Sequence, residues 1–210
     1  MTIYYDVQIS DADWKDIQQE LWATEKELNA AVKRAIRKVS LWLKRQIARG
    51  ISRETGIAQK ALRARLHHIM YTRRDLRAVV WLGLNAVPAH LTGTPRQSAR
   101  GVRVAKRSYP GAFHARVYGE EQKVWIRRAS KHFDPQLYPY NKRSSRRWGA
   151  LSDEQAGRFP VVLARVPIKD VGERVAEREY ARVDKRLLTL IRQELNFEIF
   201  VKGENVRFAT

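Results

Sequence analysis

Cysteine is absent from the 210 residues of this chain. Without thiols there is no disulfide framework, no thiolate metal site and no cysteine nucleophile. The longest apolar run, Ala78 to Leu84, is far shorter than the ~20 residues that cross a bilayer. The N-terminal stretch MTIYYDVQISDADW carries acids where a signal peptide has basic residues, and it lacks an apolar core. We therefore expect a protein of a reducing cytosol with no membrane partner.

Acidic residues are scarce in two long blocks of the chain. The net charge is +19, and residues 32–77 carry +12 of it while residues 96–147 carry +11. Such blocks must face a polyanion, an acidic protein surface or abundant counterions. Nucleic acid is the commonest polyanion, so we expect it to lie close to this protein. A solvated or protein-facing basic surface is the alternative.

Groups of residues that support catalysis are also missing. None of the five histidines has the H-x-x-x-H spacing of a zinc site, and we interpret His67-His68 as a helix end. The predicted strands carry almost none of the carboxylates that a two-metal nuclease needs. The first group of acids marks a helix start and comprises Asp11, Asp13, Asp16 and Glu20. The second group is expected to form ion pairs on a solvated helix face and comprises Glu173, Glu177 and Glu179. We therefore expect no enzymatic activity, metal or cofactor.

Apolar periodicity predicts three helices. A stripe with spacings of three and four predicts a long helix over residues 24–49, with Gly50 as its stop. A second helix is expected from Gly56 to His68. The RETG break between them is compatible with a helix-turn-helix, although any two helices joined by a short turn look the same. A last helix opens at Asp170, with Glu173 at capping-box spacing, and runs to about residue 195 before a short tail strand.

Alternating and β-branched runs predict the strands. They include an N-terminal strand or arm within residues 1–23, a buried strand at 76–84, and short strands at 102–106 and 159–168. Residues 85–101 are expected to form a long exposed loop, and residues 109–128 a hairpin with a Pro-Gly turn. The fold class is α+β, a small and mainly antiparallel sheet packed by a long N-terminal helix, a second short helix and a C-terminal helix. We expect one domain over residues 1–210.

Residues 132–157 have a different composition, with aromatic residues, prolines and serines around four basic residues. We predict a long loop or arm, inserted before the last strand and ordered against a partner. Its aromatic residues would either stack on bases or anchor a protein interface. We favour the interface for Tyr138, Tyr140 and Trp148, because duplex DNA exposes few base faces. Trp81 and Trp125 are expected in the core.

The order of several motifs gives the chain a family resemblance. A basic stretch, RQSARGVRVAKRS, precedes PGAF at 110–113, and a hairpin ending in VWIRRAS follows. RFPVVLARVPI at 158–168 then leads into the C-terminal helix. In this ordered set, over about residues 25–195, the chain resembles the minor tail protein Z family of long-tailed bacteriophages, also called tail completion proteins. Residues 132–157 depart from the family pattern, being longer and more aromatic.

The resemblance implies a non-enzymatic virion protein at the head-proximal end of the tail, made in the host cytoplasm. Such a protein completes the tail so that a filled head can join, near the end of the packaged double-stranded DNA. It implies a ring of copies, commonly six, next to a tail terminator or tail tube protein and to head connector proteins. The alternatives are a free nonspecific DNA-binding protein and a chaperone that acts only during assembly.

Two sets of basic residues are candidates to line or rim the DNA path. The first set lies on the long helix and comprises Arg34, Arg37, Lys38 and Arg45. The second set lies in the stretch before the hairpin and comprises Arg100, Arg103, Lys106 and Arg107. A ring subunit also needs a rigid hairpin to present to its neighbours. The residues of the Pro-Gly turn, Pro110, Gly111 and Phe113, therefore join the aromatic residues of 132–157 as candidates for the subunit interface.

Overall fold

A computed structural model describes residues 2–21, 24–72, 76–135, 138 and 160–202. Its helices are α1 (Asp11–Leu21), α2 (Glu25–Thr55), α3 (Gln59–Arg63), α4 (Lys169–Tyr180) and α5 (Val183–Asn196), followed by a π-helical turn (Phe197–Lys202). Its strands are β1 (Thr2–Gln8), β2 (Leu66–Tyr71), β3 (Arg77–Gly83), β4 (Val87–Pro88), β5 (Pro95–Ser98), β6 (Gly101–Val104), β7 (Arg107–Pro110), β8 (Ala112–Ala115), β9 (Lys123–Arg127), β10 (Val161–Leu163) and β11 (Arg165–Val166). The α+β class is confirmed, with a long N-terminal helix, a C-terminal helix and small antiparallel sheets.

The chain divides into two compact units. The first comprises Met1–Gly50, Arg63–Leu84 and Asp170–Thr210, and the second comprises Ile51–Leu62 and Asn85–Lys169. The long helix α2 supplies residues to both. The single domain over 1–210 stays a prediction.

In the first unit, α4 packs through Tyr180 on one face of the antiparallel sheet β1-β3-β2. The rings of Tyr5 in β1 and Tyr180 in α4 lie 4.8 Å apart, and the Tyr180 hydroxyl donates a hydrogen bond to the Asp6 carbonyl. Alternation along β1 buries Tyr5 and Val7 on that face. The predicted N-terminal strand and the helix start marked by the acids from Asp11 onward are both present.

Helix α2 begins and ends at clear local signals. Thr24 and Glu27 form a capping box, because the Glu27 carboxylate accepts from the Thr24 amide and the Thr24 hydroxyl accepts from the Glu27 amide. The hydrogen bonds from Thr24 hold the pKa of Glu27 below its ordinary value. Gly56 follows the helix with a φ of 70°, the left-handed conformation that glycine adopts without strain. The prediction that the helix stops at Gly50 is wrong, because α2 runs on to Thr55.

The predicted second helix is largely wrong. Helix α3 has 5 residues, and Leu66–Tyr71 is a strand. His67 and His68 therefore lie in β2, not at a helix end. Burial alternates along this strand with a period of two, which a helix would not allow. With so short a second helix, the helix-turn-helix interpretation has no recognition helix.

The C-terminal helix is broken in two and continues further than predicted. It begins at Lys169, one residue before Asp170, turns at Ala181 and Arg182, and resumes as α5. Glu179 does not lie on a solvated face: it is buried at 7% exposure, and Arg182 and Arg178 bind its carboxylate. In the described part of the tail the predicted strand is wrong, since Phe197–Lys202 is helical, and residues 203–210 lie outside the described residues.

The second unit is built from three small antiparallel sheets, with strand orders β5-β6-β7, β10-β9-β8 and β11-β4. The predicted hairpin is present as β8 and β9. The predicted loop over 85–101 is wrong in part, because it contains β4, β5 and the buried residues Val87 and Ala89. The strand predicted at 159–168 is divided at Ala164, whose amide donates to the Val124 carbonyl while its carbonyl accepts from the Ala89 amide. Ala164 thereby links β9 to the 3-10 turn that follows β4.

Candidate nucleic-acid interface

The sheet β5-β6-β7 has one apolar face and one basic face. Val102, Val104 and Tyr109 are buried on the inner side. On the outer side, the strand register places Arg96 of β5 opposite Arg103 of β6, and Arg103 opposite Ser108 of β7. These three side chains are exposed. A row of polar groups, two of them cationic, therefore crosses all three strands.

The two turns of this sheet add further cations. Arg100 precedes Gly101, whose φ of 139° suits glycine alone, and a side chain there would collide with the Tyr109 carbonyl. The Arg100 carbonyl accepts a hydrogen bond of 3.1 Å from the Gly111 amide, which fixes this turn against the start of β8. Lys106 follows Ala105, which has a φ of 50°. Both Arg100 and Lys106 are exposed.

We call the set Arg96, Arg100, Arg103 and Lys106 the basic sheet. No aspartate or glutamate occurs in the sequence between residues 76 and 119. Within the described ranges, none of the four side chains forms an ion pair. Like charges directly opposite on neighbouring strands destabilise a sheet. This surface therefore has cations in fixed positions and no carboxylate of its own to neutralise them.

Arg107 has a different role from the rest of its predicted set. It is half-buried, and its Nη2 donates a hydrogen bond of 3.1 Å to the Thr55 carbonyl at the C-terminal end of α2. A cation at this end satisfies a free carbonyl and interacts favourably with the helix dipole. Arg96, in contrast, was absent from the predicted set. Only the pairing of β5 with β6 shows that it lies beside Arg103.

Two of the four candidates on α2 bind carboxylates of the C-terminal helix. Arg34 binds Glu194 at 2.6 Å and also Glu198, and Lys38 binds Glu194. Burial by itself raises the pKa of Glu194, but the hydrogen bonds from Lys38 and Arg34 outweigh it and hold that pKa below its ordinary value. The charges of Arg34 and Lys38 are thus compensated within the chain. The DNA-facing hypothesis is weakest for these two residues.

The other two α2 candidates, Arg37 and Arg45, are exposed. Arg37 lies near β2, where burial, followed by the charges of Lys44 and Arg37, holds the pKa of His68 below its ordinary value. Arg45 donates from Nε to the Leu41 carbonyl of its own helix. These two cations remain candidates for contact with a polyanion.

A second basic surface, missed by the sequence analysis, surrounds Trp42. The guanidinium groups of Arg182 and Arg186 lie 5.8 and 6.0 Å from the centre of its ring. With Lys185 they line an open cleft of about 450 Å³. Arg182 lies at the junction of α4 and α5, and Lys185 and Arg186 lie in the first turn of α5; that junction was not predicted.

The interface candidates have mixed outcomes. Tyr138 is a core residue, not an interface residue, because it is 1% exposed and its ring lies 5.9 Å from that of Phe133. Gly111 has a φ of 68°, and a side chain there would meet Ser130 and His132. Phe113 is half-buried beneath the Arg127 guanidinium, and Pro110 is exposed. Tyr140 and Trp148 lie outside the described residues.

The two tryptophans that were expected in the core have different outcomes. Trp125 is buried, and its indole N–H donates to the Ala115 carbonyl. Trp81 is only half-buried, on the outer face of the sheet β1-β3-β2, where its ring lies 5.1 Å from that of His67.

The described residues contain no group of three or more histidine, aspartate or glutamate side chains arranged to hold a metal ion. No helix among them is long and apolar enough to cross a membrane.

Comparison with known proteins adds no assignment: no family model, no curated protein and no solved structure matches the chain.

Proposed function

We propose that this chain is a structural subunit of a ring at the head-proximal end of a bacteriophage tail, where it joins tail to head beside the packaged double-stranded DNA. The ordered motifs that resemble the tail completion proteins support the setting. The observation that carries the proposal is the basic sheet, in which Arg96 and Arg103 stand opposite each other with no carboxylate partner among the described residues. The ring, expected to be sixfold, has tail terminator or tail tube proteins and head connector proteins as neighbours.

The chemistry of the basic sheet favours a nucleic-acid backbone over an acidic protein. Interfaces with DNA are more polar and much more positive than interfaces between proteins, which have aromatic and apolar centres. The outer side of β5-β6-β7 carries Arg96, Arg103 and Ser108, with Pro110 also exposed, while Val102, Val104 and Tyr109 are turned inward. Adjacent strands lie ~4.8 Å apart, so the row of charges is short and dense. Closely spaced phosphates would neutralise it.

Assembly into a ring adds a second reason for a polyanion. Each copy brings a net charge of +19, and a closed ring of such copies repels itself strongly. A DNA strand in the lumen supplies the missing negative charge without occupying the protein contacts between subunits. The proposed role needs binding that is independent of base sequence, which phosphate contacts provide.

The test compares two variants of equal charge. One replaces the basic sheet (Arg96→Ser, Arg100→Ser, Arg103→Ser, Lys106→Ser), and the other replaces four exposed lysines elsewhere, Lys15, Lys26, Lys60 and Lys131. Both lower the net charge by the same amount. We expect the basic-sheet variant to incorporate into particles but to reduce head joining or DNA retention, whereas the lysine variant behaves as wild type. Equal infectious titres for both variants would overturn the role of the basic sheet.

Composition of purified particles tests the setting itself. Mass spectrometry should find the chain in finished virions, and averaged images should place it at the tail end nearest the head. Its absence from particles would favour the assembly chaperone. If particles lack the chain and the isolated monomer binds DNA tightly, the free DNA-binding protein is favoured. Its log affinity should then fall linearly with log salt concentration, with a slope of about −0.9 for each phosphate contact.

A further inference from the structure

The sheet β1-β3-β2 has an outer face on which five of nine side chains are apolar or aromatic, and no described part of the chain covers it. Its register places three rows of residues on that face, namely Tyr4, Trp81 and His67, then Asp6, Val79 and Ile69, then Gln8, Arg77 and Tyr71. Tyr4 is 64% exposed and Ile69 is 49% exposed. We call this surface the sheet face. Exposed apolar surfaces of this kind commonly mark interaction sites.

The charges on the sheet face compensate each other. Arg77 Nη1 lies 3.4 Å from the Asp6 carboxylate, and the Arg77 guanidinium lies over the Tyr71 ring at 4.8 Å. Among its described residues, the face therefore offers a polyanion no cation that lacks a partner. Its occupant should be apolar and should bring no uncompensated charge.

The chain itself presents a second apolar surface that meets these conditions. Phe197, Phe200 and Val201 in the π-helical turn are 48, 61 and 49% exposed. Glu198, which lies among them, is turned inward and binds Arg34. We call these three exposed residues the C-terminal patch. Of the eight large hydrophobic side chains that are exposed in the described residues, six lie in the sheet face or the C-terminal patch.

We propose that the sheet face of one copy binds the C-terminal patch of a second copy. Copies that each carry +19 approach most easily through surfaces whose charges are already compensated, and both surfaces have this property. Because the two surfaces differ, the contact is head-to-tail, and its repetition gives a ring or a filament. The inference deepens the proposed function: that repeated contacts close into a ring rests on the proposed function. The contact between two copies does not depend on the proposed function.

Two variants, each with one surface blocked, test the contact. The sheet-face variant is Tyr4→Thr with Ile69→Thr, and the C-terminal variant is Phe200→Gln with Val201→Gln. Leu91→Gln is the matched control, since Leu91 is 52% exposed and belongs to neither surface. Sedimentation velocity is run on each full-length chain alone and on the equimolar mixture of the two variants. Thermal unfolding followed by circular dichroism checks that each is folded, with the single changes Tyr4→Thr and Phe200→Gln as milder replacements.

We expect wild type and the control to associate, and each variant alone to associate at least ~100-fold more weakly, as for loss of interface anchors. The mixture should form a species of twice the 24.5 kDa chain mass and no larger, because each variant retains one intact surface. Dimerisation of the C-terminal variant alone would show instead that two sheet faces pair. Unchanged assembly of both variants, or a monomeric wild type, would also overturn the proposal.

Particle composition separates this inference from the proposed function. A chain that is present in virions but does not use these surfaces overturns the contact and leaves the function standing. A chain that associates through them but is missing from virions supports the contact and overturns the function.

Discussion

Val175 of α4 occupies the space that a side chain at Gly50 of α2 would need. A Cβ atom built on Gly50 would lie 2.5 Å from Val175 Cγ1, closer than real contacts allow. Gly50 is buried in the middle of a continuous helix, where alanine is normally better than glycine by about 1 kcal/mol. Here the glycine permits the close approach of two helices.

Gly50→Ala should therefore destabilise the protein in spite of its better helix propensity. We expect the free energy of unfolding in urea to fall by about 1–3 kcal/mol, the usual cost of overpacking. Val175→Ala removes the clashing methyl groups, so the double variant should lose at least ~1 kcal/mol less than the sum of the single losses. Simple additivity, or stabilisation by Gly50→Ala alone, would refute the close-packing explanation.

The same glycine shows what the sequence can and cannot predict. Periodicity identified the apolar stripe of α2, because a spacing of three and four is a local property of the chain. Whether a glycine stops a helix or admits a neighbour depends on Val175, which lies 125 residues away. The prediction that the second helix runs to His68 is wrong for a similar reason: short apolar runs fit helix or strand, and pairing of Leu66–Tyr71 with β3 decides for the strand.

The candidate site was predictable only in part. Charge counting identified the two basic blocks, since it needs no structure. It did not distinguish cations that bind a carboxylate, such as Arg34, from cations without one, such as Arg103. It also missed that Arg96 and Arg103 are neighbours, because the strand register that joins them follows from turn geometry and burial of Val102 and Val104.

The buried carboxylate of Glu194 should make stability depend on pH. Its pKa is lowered in the folded chain, so its contribution is present above the unfolded pKa and is lost as the pH falls through the folded value. Glu194→Gln should cost about 1–3 kcal/mol at pH 7, because it leaves Arg34 and Lys38 poorly paired. The difference from wild type should shrink on acidification below about pH 4.5.

Urea unfolding of wild type and Glu194→Gln across this pH range measures the effect. Glu120→Gln, at the exposed hairpin turn, is the control and should change stability little at any pH. A difference between wild type and Glu194→Gln that stays constant from neutral to acid pH would contradict the coupling of Glu194 to Arg34 and Lys38.

Tyr138 should behave as a core residue in both stability and titration. Burial, with smaller contributions from Tyr109 and Asp134, raises its pKa to about 12. Because the pKa in the folded chain lies above the ordinary value of 10.0, the associated stability is present below pH 10.0 and is lost as the pH rises through the folded pKa. The difference in phenolate absorbance between wild type and Tyr138→Phe should therefore titrate near 12.

Truncation of the same residue tests its packing. Tyr138→Ala should lower the free energy of unfolding by about 3 kcal/mol or more, as for large aromatic side chains in cores. Pro110→Ala, at an exposed position of the same unit, is the comparison and should cost far less. A neutral Tyr138→Ala combined with loss of assembly would restore the interface role.

The repulsion between Arg96 and Arg103 predicts that stability and DNA binding change in opposite directions. Arg103→Gln removes the like-charge pair, and Arg103→Glu replaces it with an attractive one. Cross-strand charge pairs contribute about 0.2–1 kcal/mol, so the free energy of unfolding should rise in the order wild type, Arg103→Gln, Arg103→Glu. Urea is the denaturant of choice because it leaves the ionic strength unchanged. The gain should shrink in ~1 M salt, where the screening length is about 3 Å.

DNA affinity should follow the reverse order in the same three proteins. Loss of one phosphate contact lowers the salt slope of binding by about 1, and a carboxylate in its place repels the backbone as well. The proposed function accounts for the two opposed arginines, because bound DNA would relieve a repulsion that destabilises the free protein. If Arg103→Glu were more stable yet bound DNA as wild type does, the repulsion would be real but the DNA path would lie elsewhere. If Arg103→Glu were less stable than wild type, Arg96 and Arg103 would not repel each other as their opposed positions in the strand register predict.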